Sequence, residues 1–361
     1  MPETNKRLGS IELLRIIAMF SIVSGHAIIH GNFTTIPLTF NGCLALLFTQ
    51  GSRIAVNCFV LITGYFLQPE SIPFKKIARV YRQVYFYQVV LLIAMVCCSE
   101  VSITFKNLIK AITPFIGSQY WFATTYILLL VVSPFLNIVL NYSTKKQFEV
   151  LLGCLFLFWS VCPTFLLGAP GYSNFGWFIW LYCLAGYLRK YSPAFSKQLR
   201  LYHGIVIYIC ILIATILTFV IGYNVAFLRA NAQYLFSEMN RVPAVLCALI
   251  FFTACLNRKQ FRNACVNRVA SCVFGVYLLH DNPYIRDFLW KKVFDVQQYI
   301  NSKVFCFVVV ISIMCVFAIG VIVEIIRRKI DRLLCKGINL IAVKRCAKFP
   351  VIASVISIVF S

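Results

Sequence analysis

Glu12, Arg15, His26 and His30 stand together in one long apolar stretch, IELLRIIAMFSIVSGHAIIHG. An ionisable side chain inside a membrane helix is costly and marks a functional site by default. Arg15 and His26 are eleven residues apart. That is about three helical turns, so both side chains fall on one face, roughly 16 Å apart along the axis. Glu12 lies three residues before Arg15 and His30 four after His26, which extends the stripe. The stripe joins a charged pair at one membrane face to an imidazole deep in the bilayer. An imidazole so placed suits general-base work on a hydroxyl. Glu12 is too far along the helix to complete a triad, and no G-x-S-x-G motif accompanies the histidine, so a serine acyl-enzyme is not indicated.

Other apolar runs also carry polar groups at depth. With the N-terminus on the inner side, His26 lies about 22 Å along the first span. Arg53 lies roughly 15 Å from the outer face on the second, with Asn57 one turn further on, and His280 roughly 18 Å from the inner face on the ninth. Three separate helices thus bring ionisable groups to one level, and a shared cavity is expected. Arg79 and Arg82, facing inward, and Arg53, deep in the cavity, could hold the phosphates of a charged donor and stabilise an oxyanion. The set suits acyl transfer from a cytosolic thioester to an alcohol. Taken alone it equally suits a proton-coupled transporter or flippase, because Arg, His and Glu lining a bundle are the parts of a proton relay. Each residue also has a packing reading: a hydrogen bond between helices for His26 and His30, an ion pair for Arg53, a helix boundary for His280 and Asp281. Glu324, one turn before Arg327 and Arg328, reads as paired with them. With four histidines scattered and no paired carboxylates, no metal site is expected.

The elements that position these groups follow from composition. The 361 residues are 61% hydrophobic and only 12% charged, with mean hydropathy +0.84, a balance that excludes an ordinary soluble protein. Apolar runs predict an all-α integral membrane protein of about ten transmembrane helices, near residues 11–31, 42–68, 80–98, 120–140, 148–168, 175–188, 203–223, 242–256, 268–284 and 304–326. The second is overlong and the sixth and eighth short for a hydrocarbon core of about 30 Å. No cleaved signal peptide is expected, since the first run holds an arginine and two histidines. One membrane domain over 1–334 and a basic, apolar interfacial tail over 335–361 account for the chain. The sixteen cysteines include no C-x-x-C and fall mostly in apolar runs, where cysteine packs as a small hydrophobe.

A net charge of +23 invites a nucleic-acid reading, but its distribution answers it. With a cytoplasmic N-terminus, Lys and Arg divide about three to one in favour of inside segments, alternating loop by loop, which is the positive-inside pattern. Both termini are expected in the cytoplasm, and the basic residues are read as topology signals and contacts to anionic membrane lipids, with no nucleic-acid partner.

Four segments carry a family likeness. ELLRIIAMFSIVSGH resembles the opening motif of the bacterial membrane acyltransferase-3 family, in which an Arg and a His at this separation occupy the first helix. SRIAVNCFVLITGYFL resembles that family's second-helix pattern, and QYWFATTYILLLVVSPFLN its Trp-Phe to Pro segment. SCVFGVYLLHDNPYIRDFLW resembles its late helix with a Tyr-Leu-His ending, in the version common among polysaccharide O-acetyltransferases. The four occur in the family's order between residues 11 and about 290. The resemblance implies transfer of an acyl group, usually acetyl from acetyl-CoA, to a hydroxyl of a surface glycan or lipid-linked sugar, in a bacterial cytoplasmic (inner) membrane. It makes His26 the base or acyl-relay residue and Arg15 its partner, with Glu12 standing where many relatives have Asp. It places Arg53 and Asn57 on the cavity wall and offers Tyr120, Trp121 and His280 as further candidates. The extra periplasmic hydrolase domain of some relatives is not expected, so acyl groups go straight to the acceptor or to a separate partner.

Overall fold

The computed structural model describes residues 8–115 and 119–345. Among them there are helices and connecting turns but no strand. The main helices are α1 Gly9–Ile29, α2 Phe40–Thr49, α3 Gly51–Phe66, α4 Phe74–Cys97, α5 Phe105–Ile112, α6 Trp121–Tyr142 and α7 Lys145–Phe156. They continue as α8 Asn174–Tyr191, α9 Leu201–Ile221, α10 Val242–Asn257, α11 Ala264–His280 and α12 Phe305–Arg345. Each expected span overlaps helical chain, the second falling on two helices. Among the described residues seven helical segments are long and apolar enough to cross a membrane; α10 and α11 are shorter apolar helices.

Local chemistry fixes the ends. The Thr39, Thr104, Ser173 and Asn263 side chains accept hydrogen bonds from the first free N–H groups of α2, α5, α8 and α11. Thr144 and Gln147 form a reciprocal capping box on α7. The overlong second span is two helices, α2 and α3, meeting at Gln50. That buried amide donates to Leu46 O at 3.1 Å and accepts from Thr215 Oγ1 of α9 at 3.0 Å, so the joint is satisfied from a neighbouring helix. Helix α5 was not anticipated. Its Phe105, Leu108, Ile109 and Ile112 are exposed, with Lys106 and Lys110 interleaved, the pattern of a helix lying along a membrane interface.

Helix α1 is the hub. It packs against α2, α3, α10, α11 and α12. At Gly25 a β-carbon would lie 2.7 Å from Ser52 Cβ, so the missing side chain lets α1 and α3 close to near backbone contact beside His26. Burial runs opposite to a soluble protein. The very apolar α9 buries little beyond Gly204, Ile211, Thr215 and Phe219, whereas α1, with its acid, arginine and histidines, is largely enclosed. Apolar surface therefore faces outward, toward lipid, and polar groups face the bundle. No break in α12 marks the domain boundary expected after residue 334: the helix continues to Arg345, and residues 346–361 of the expected tail lie outside the described residues.

Candidate active site

One cavity of about 1040 Å³ runs beside α1 from Arg15 to His30. Fifteen residues of helix cover about 22 Å, so the cavity traverses most of a hydrocarbon core. At the Arg15 end it is lined by Lys76 and Arg79 of α4 and by Arg327, Arg328 and Arg332 of α12, with the Asp331 carboxylate among them and Arg327 and Arg328 paired with Glu324. At the other end lie His26, His30, Asp281, Arg286 and Arg53. Between them the wall is aromatic and aliphatic, with Trp121, Phe122, Phe274 and Tyr277. A ligand with an anionic head and an apolar or amide-bearing arm fits such a gradient.

The histidine end is built where the C-terminus of α11 meets α1. His26 and His30 are one turn apart, with ring centroids separated by 4.7 Å. His26 Nδ1 lies 3.0 Å from Nε2 of His280, which is fully buried. His280 Nδ1 in turn lies 2.6 Å from the carbonyl of Val276, one turn back on its own helix. Asp281 Oδ1 is approached by His30 Nε2 at 3.3 Å, Arg286 Nη1 at 3.5 Å and His26 Nδ1 at 3.8 Å. The helix end carrying these groups is held from three sides. Tyr120 donates to Leu278 O at 2.8 Å, Asn282 reaches Tyr120 Oη at 2.5 Å and Gln88 Oε1 at 3.0 Å, and Trp290 Nε1 donates to His280 O at 3.3 Å.

The residues singled out from the sequence divide into three groups. His26, Arg15, Arg53, Arg79 and Trp121 line the cavity. His280 stands behind His26 and reaches the cavity through it. Glu12, Asn57, Arg82 and Tyr120 are not on the wall. Glu12 is buried, 3.9 Å from Arg15. Asn57 is fully buried between helices, donating to Met239 O at 2.6 Å and accepting from Trp177 Nε1 at 3.1 Å, so its amide is consumed by packing. Arg82 turns to Asp331 at 3.5 Å. Tyr120 is the latch on α11 described above. Arg53 faces the cavity but is also tied to Glu238 at 3.6 Å. Arg15 makes no contact with His26; the group directly on that imidazole is His280. Glu324 is paired as expected, accepting from Arg327 at 2.8 and 2.9 Å and from Arg328 at 2.7 Å, with Tyr87 at 3.0 Å.

Asp281 as a hub, Arg286 and Glu238 do not stand out in the sequence, and His30 ranks there below His26. The one signal available was the i, i+4 spacing of His26 and His30. Along the chain the histidines are scattered, yet three of the four converge here. His26, His30 and Asp281 offer ligand atoms within 4.8 Å of one another, a set of the type that binds a divalent ion. The Arg286 guanidinium beside the same carboxylate oxygen already supplies a positive charge there, and a second cation would be repelled by it.

A bundle with outward-facing apolar surface, enclosing an imidazole at the end of a cation-mouthed cavity, has the parts of a membrane-embedded group-transfer enzyme. The chain belongs to the acyltransferase-3 family: its residues 8–324 match the family's model, described as an acyltransferase domain. It is thus a membrane acyltransferase in the general sense. Searches of curated proteins and of solved structures return no match.

Proposed function

We propose that this protein transfers an acyl group, most readily acetyl, from acyl-CoA to a hydroxyl of a cell-surface polysaccharide or lipid-linked sugar. The observation that carries the reading is the single cavity linking a cluster of cations to His26. The phosphates of CoA sit among Arg79, Lys76 and Arg332, and the pantetheine arm extends along α1 to bring the thioester to the imidazole. His26 takes the proton of the acceptor hydroxyl as that oxygen attacks the thioester carbonyl. The carbon–sulfur bond breaks, and the proton passes to the leaving thiolate, yielding free CoA thiol and the O-acyl ester. Asp281 steadies the transient imidazolium, and Arg53 or Arg286 faces the developing oxyanion. No metal takes part. The chain crosses a bacterial cytoplasmic membrane ten times with both termini inside, as the distribution of Lys and Arg supports. The catalytic unit is a single membrane domain.

The test is release of free thiol from acetyl-CoA by purified protein with membrane glycolipid extract, beside His26→Ala. Release that needs both the extract and His26 supports the reading. Absence of release from folded wild-type protein, across several thioesters and extracts, would overturn it in favour of transport.

A further inference from the structure

A backbone carbonyl only accepts hydrogen bonds, so the 2.6 Å contact between His280 Nδ1 and Val276 O requires the proton of His280 on Nδ1. In neutral His280 the other nitrogen, Nε2, is then a bare acceptor. It faces His26 Nδ1 at 3.0 Å, and that contact needs a proton supplied by His26. The proton of neutral His26 is therefore on Nδ1, and its lone pair is on Nε2. His26 lines the cavity, and among the described residues its Nε2 has no hydrogen-bond partner. Asp281 Oδ1, at 3.8 Å from His26 Nδ1, is beyond hydrogen-bonding distance and does not compete for the proton.

We propose that His280 is a positioning residue that fixes the tautomer of His26, holding its proton on Nδ1 and leaving Nε2 as the base that faces the cavity. The Val276 carbonyl is the origin of this order, and two imidazoles transmit it. His280 thereby does for the tautomer of His26 what a buried carboxylate does for the histidine of a hydrolase triad, through a neutral hydrogen-bond acceptor, while the Asp281 charge stays 3.8 Å away. Its burial at the latched end of α11 fits that task, since any rotation of its ring would break both bonds.

The catalytic part of this inference rests on the acyltransferase reading; the tautomer itself does not. The experiment uses full-length protein labelled with ¹⁵N-histidine in lipid nanodiscs, with His26→Ala to assign the signal, and compares wild type with His280→Gln and His280→Asn. The Gln amide oxygen can stand where Nε2 stood and accept from His26, whereas the Asn amide can reach only Val276. Wild-type His26 should show a protonated Nδ1 and a bare Nε2, and His280→Gln should keep that pattern. Acetyl-CoA turnover should persist in His280→Gln and fall roughly 10²-fold or more in His280→Asn. A bare Nδ1 on wild-type His26 would overturn the proposal, as would equal turnover in the Gln and Asn variants when both elute as folded protein. If no thioester turns over at all, the acyltransferase reading fails while the ¹⁵N pattern still decides the tautomer.

Discussion

His26 Nδ1 and His280 Nε2 lie 3.0 Å apart although 254 residues separate them in the chain. The contact exists because α11 docks against α1 with its C-terminus level with the last turn of α1, and because Tyr120, Gln88 and Trp290 hold that end in place. Asp281 follows directly, so one helix end supplies both a neutral acceptor and a carboxylate to the same imidazole. Replacing Asp281 with Asn removes the charge but keeps the size. We expect kcat for thioester turnover to fall by about ten- to a hundredfold, corresponding to about 1–3 kcal/mol, with KM for acetyl-CoA nearly unchanged. Steady-state kinetics on the purified variant check this.

The cations at the Arg15 end are expected to bind the donor and take no part in its chemistry. Arg79 is exposed on the cavity rim and free to meet solution phosphate. Arg79→Ala should raise KM for acetyl-CoA about two- to fivefold with kcat unchanged, and raised salt should narrow the difference from wild type. A fall in kcat at constant KM would contradict this assignment.

Asn57 is a packing residue in this structure, and its replacement should show as lost stability. Asn57→Ala leaves the Trp177 N–H and the Met239 carbonyl buried without partners, at about 1–3 kcal/mol each. Thermal unfolding in detergent should fall by several degrees while KM for acetyl-CoA stays at the wild-type value in the protein that remains folded.

Gly275 faces Glu324 across the α11–α12 contact, where an added β-carbon would lie 2.7 Å from Glu324 Cβ and Cδ. That carboxylate cannot swing aside, because Tyr87, Arg327 and Arg328 all hold it. Gly275→Ala should therefore cost about 1–3 kcal/mol and loosen α12. Limited proteolysis of the α12 end, faster in the variant, would report the loosening; unaltered cleavage and melting would refute it.

The convergence of His26, His30 and Asp281 makes metal dependence testable. With Arg286 occupying the same carboxylate oxygen, dialysis against a chelator should leave turnover unchanged, and elemental analysis should find no stoichiometric metal. Loss of activity restored by one divalent ion would reverse the assignment of His26 from base to ligand.

The helices were legible because lipid-facing surface must be apolar over a fixed length, and hydropathy reports that directly. The His26 and Arg15 stripe was legible because both lie on one helix, where spacing alone sets the face. Contacts between helices were not. Asn57, Arg53 and Tyr120 are each polar groups in apolar runs, and the sequence cannot separate a group turned to a cavity from one spent on a neighbour's backbone. Asn57 and Tyr120 are of the second kind. Arg53 faces the cavity and is also ion-paired with the side chain of Glu238, in the segment before α10, at 3.6 Å.

The enclosure of α1 also bears on how the molecule is assembled. Helices such as α9 and α12 are apolar enough to rest in lipid alone, whereas α1 carries His26 into the hydrocarbon and an Arg15–Glu12 pair near its start. Until α3 and α11 close around it, the helix that bears the imidazole leaves ionisable groups facing lipid. Closing the bundle and closing the candidate site around His26 are therefore the same event.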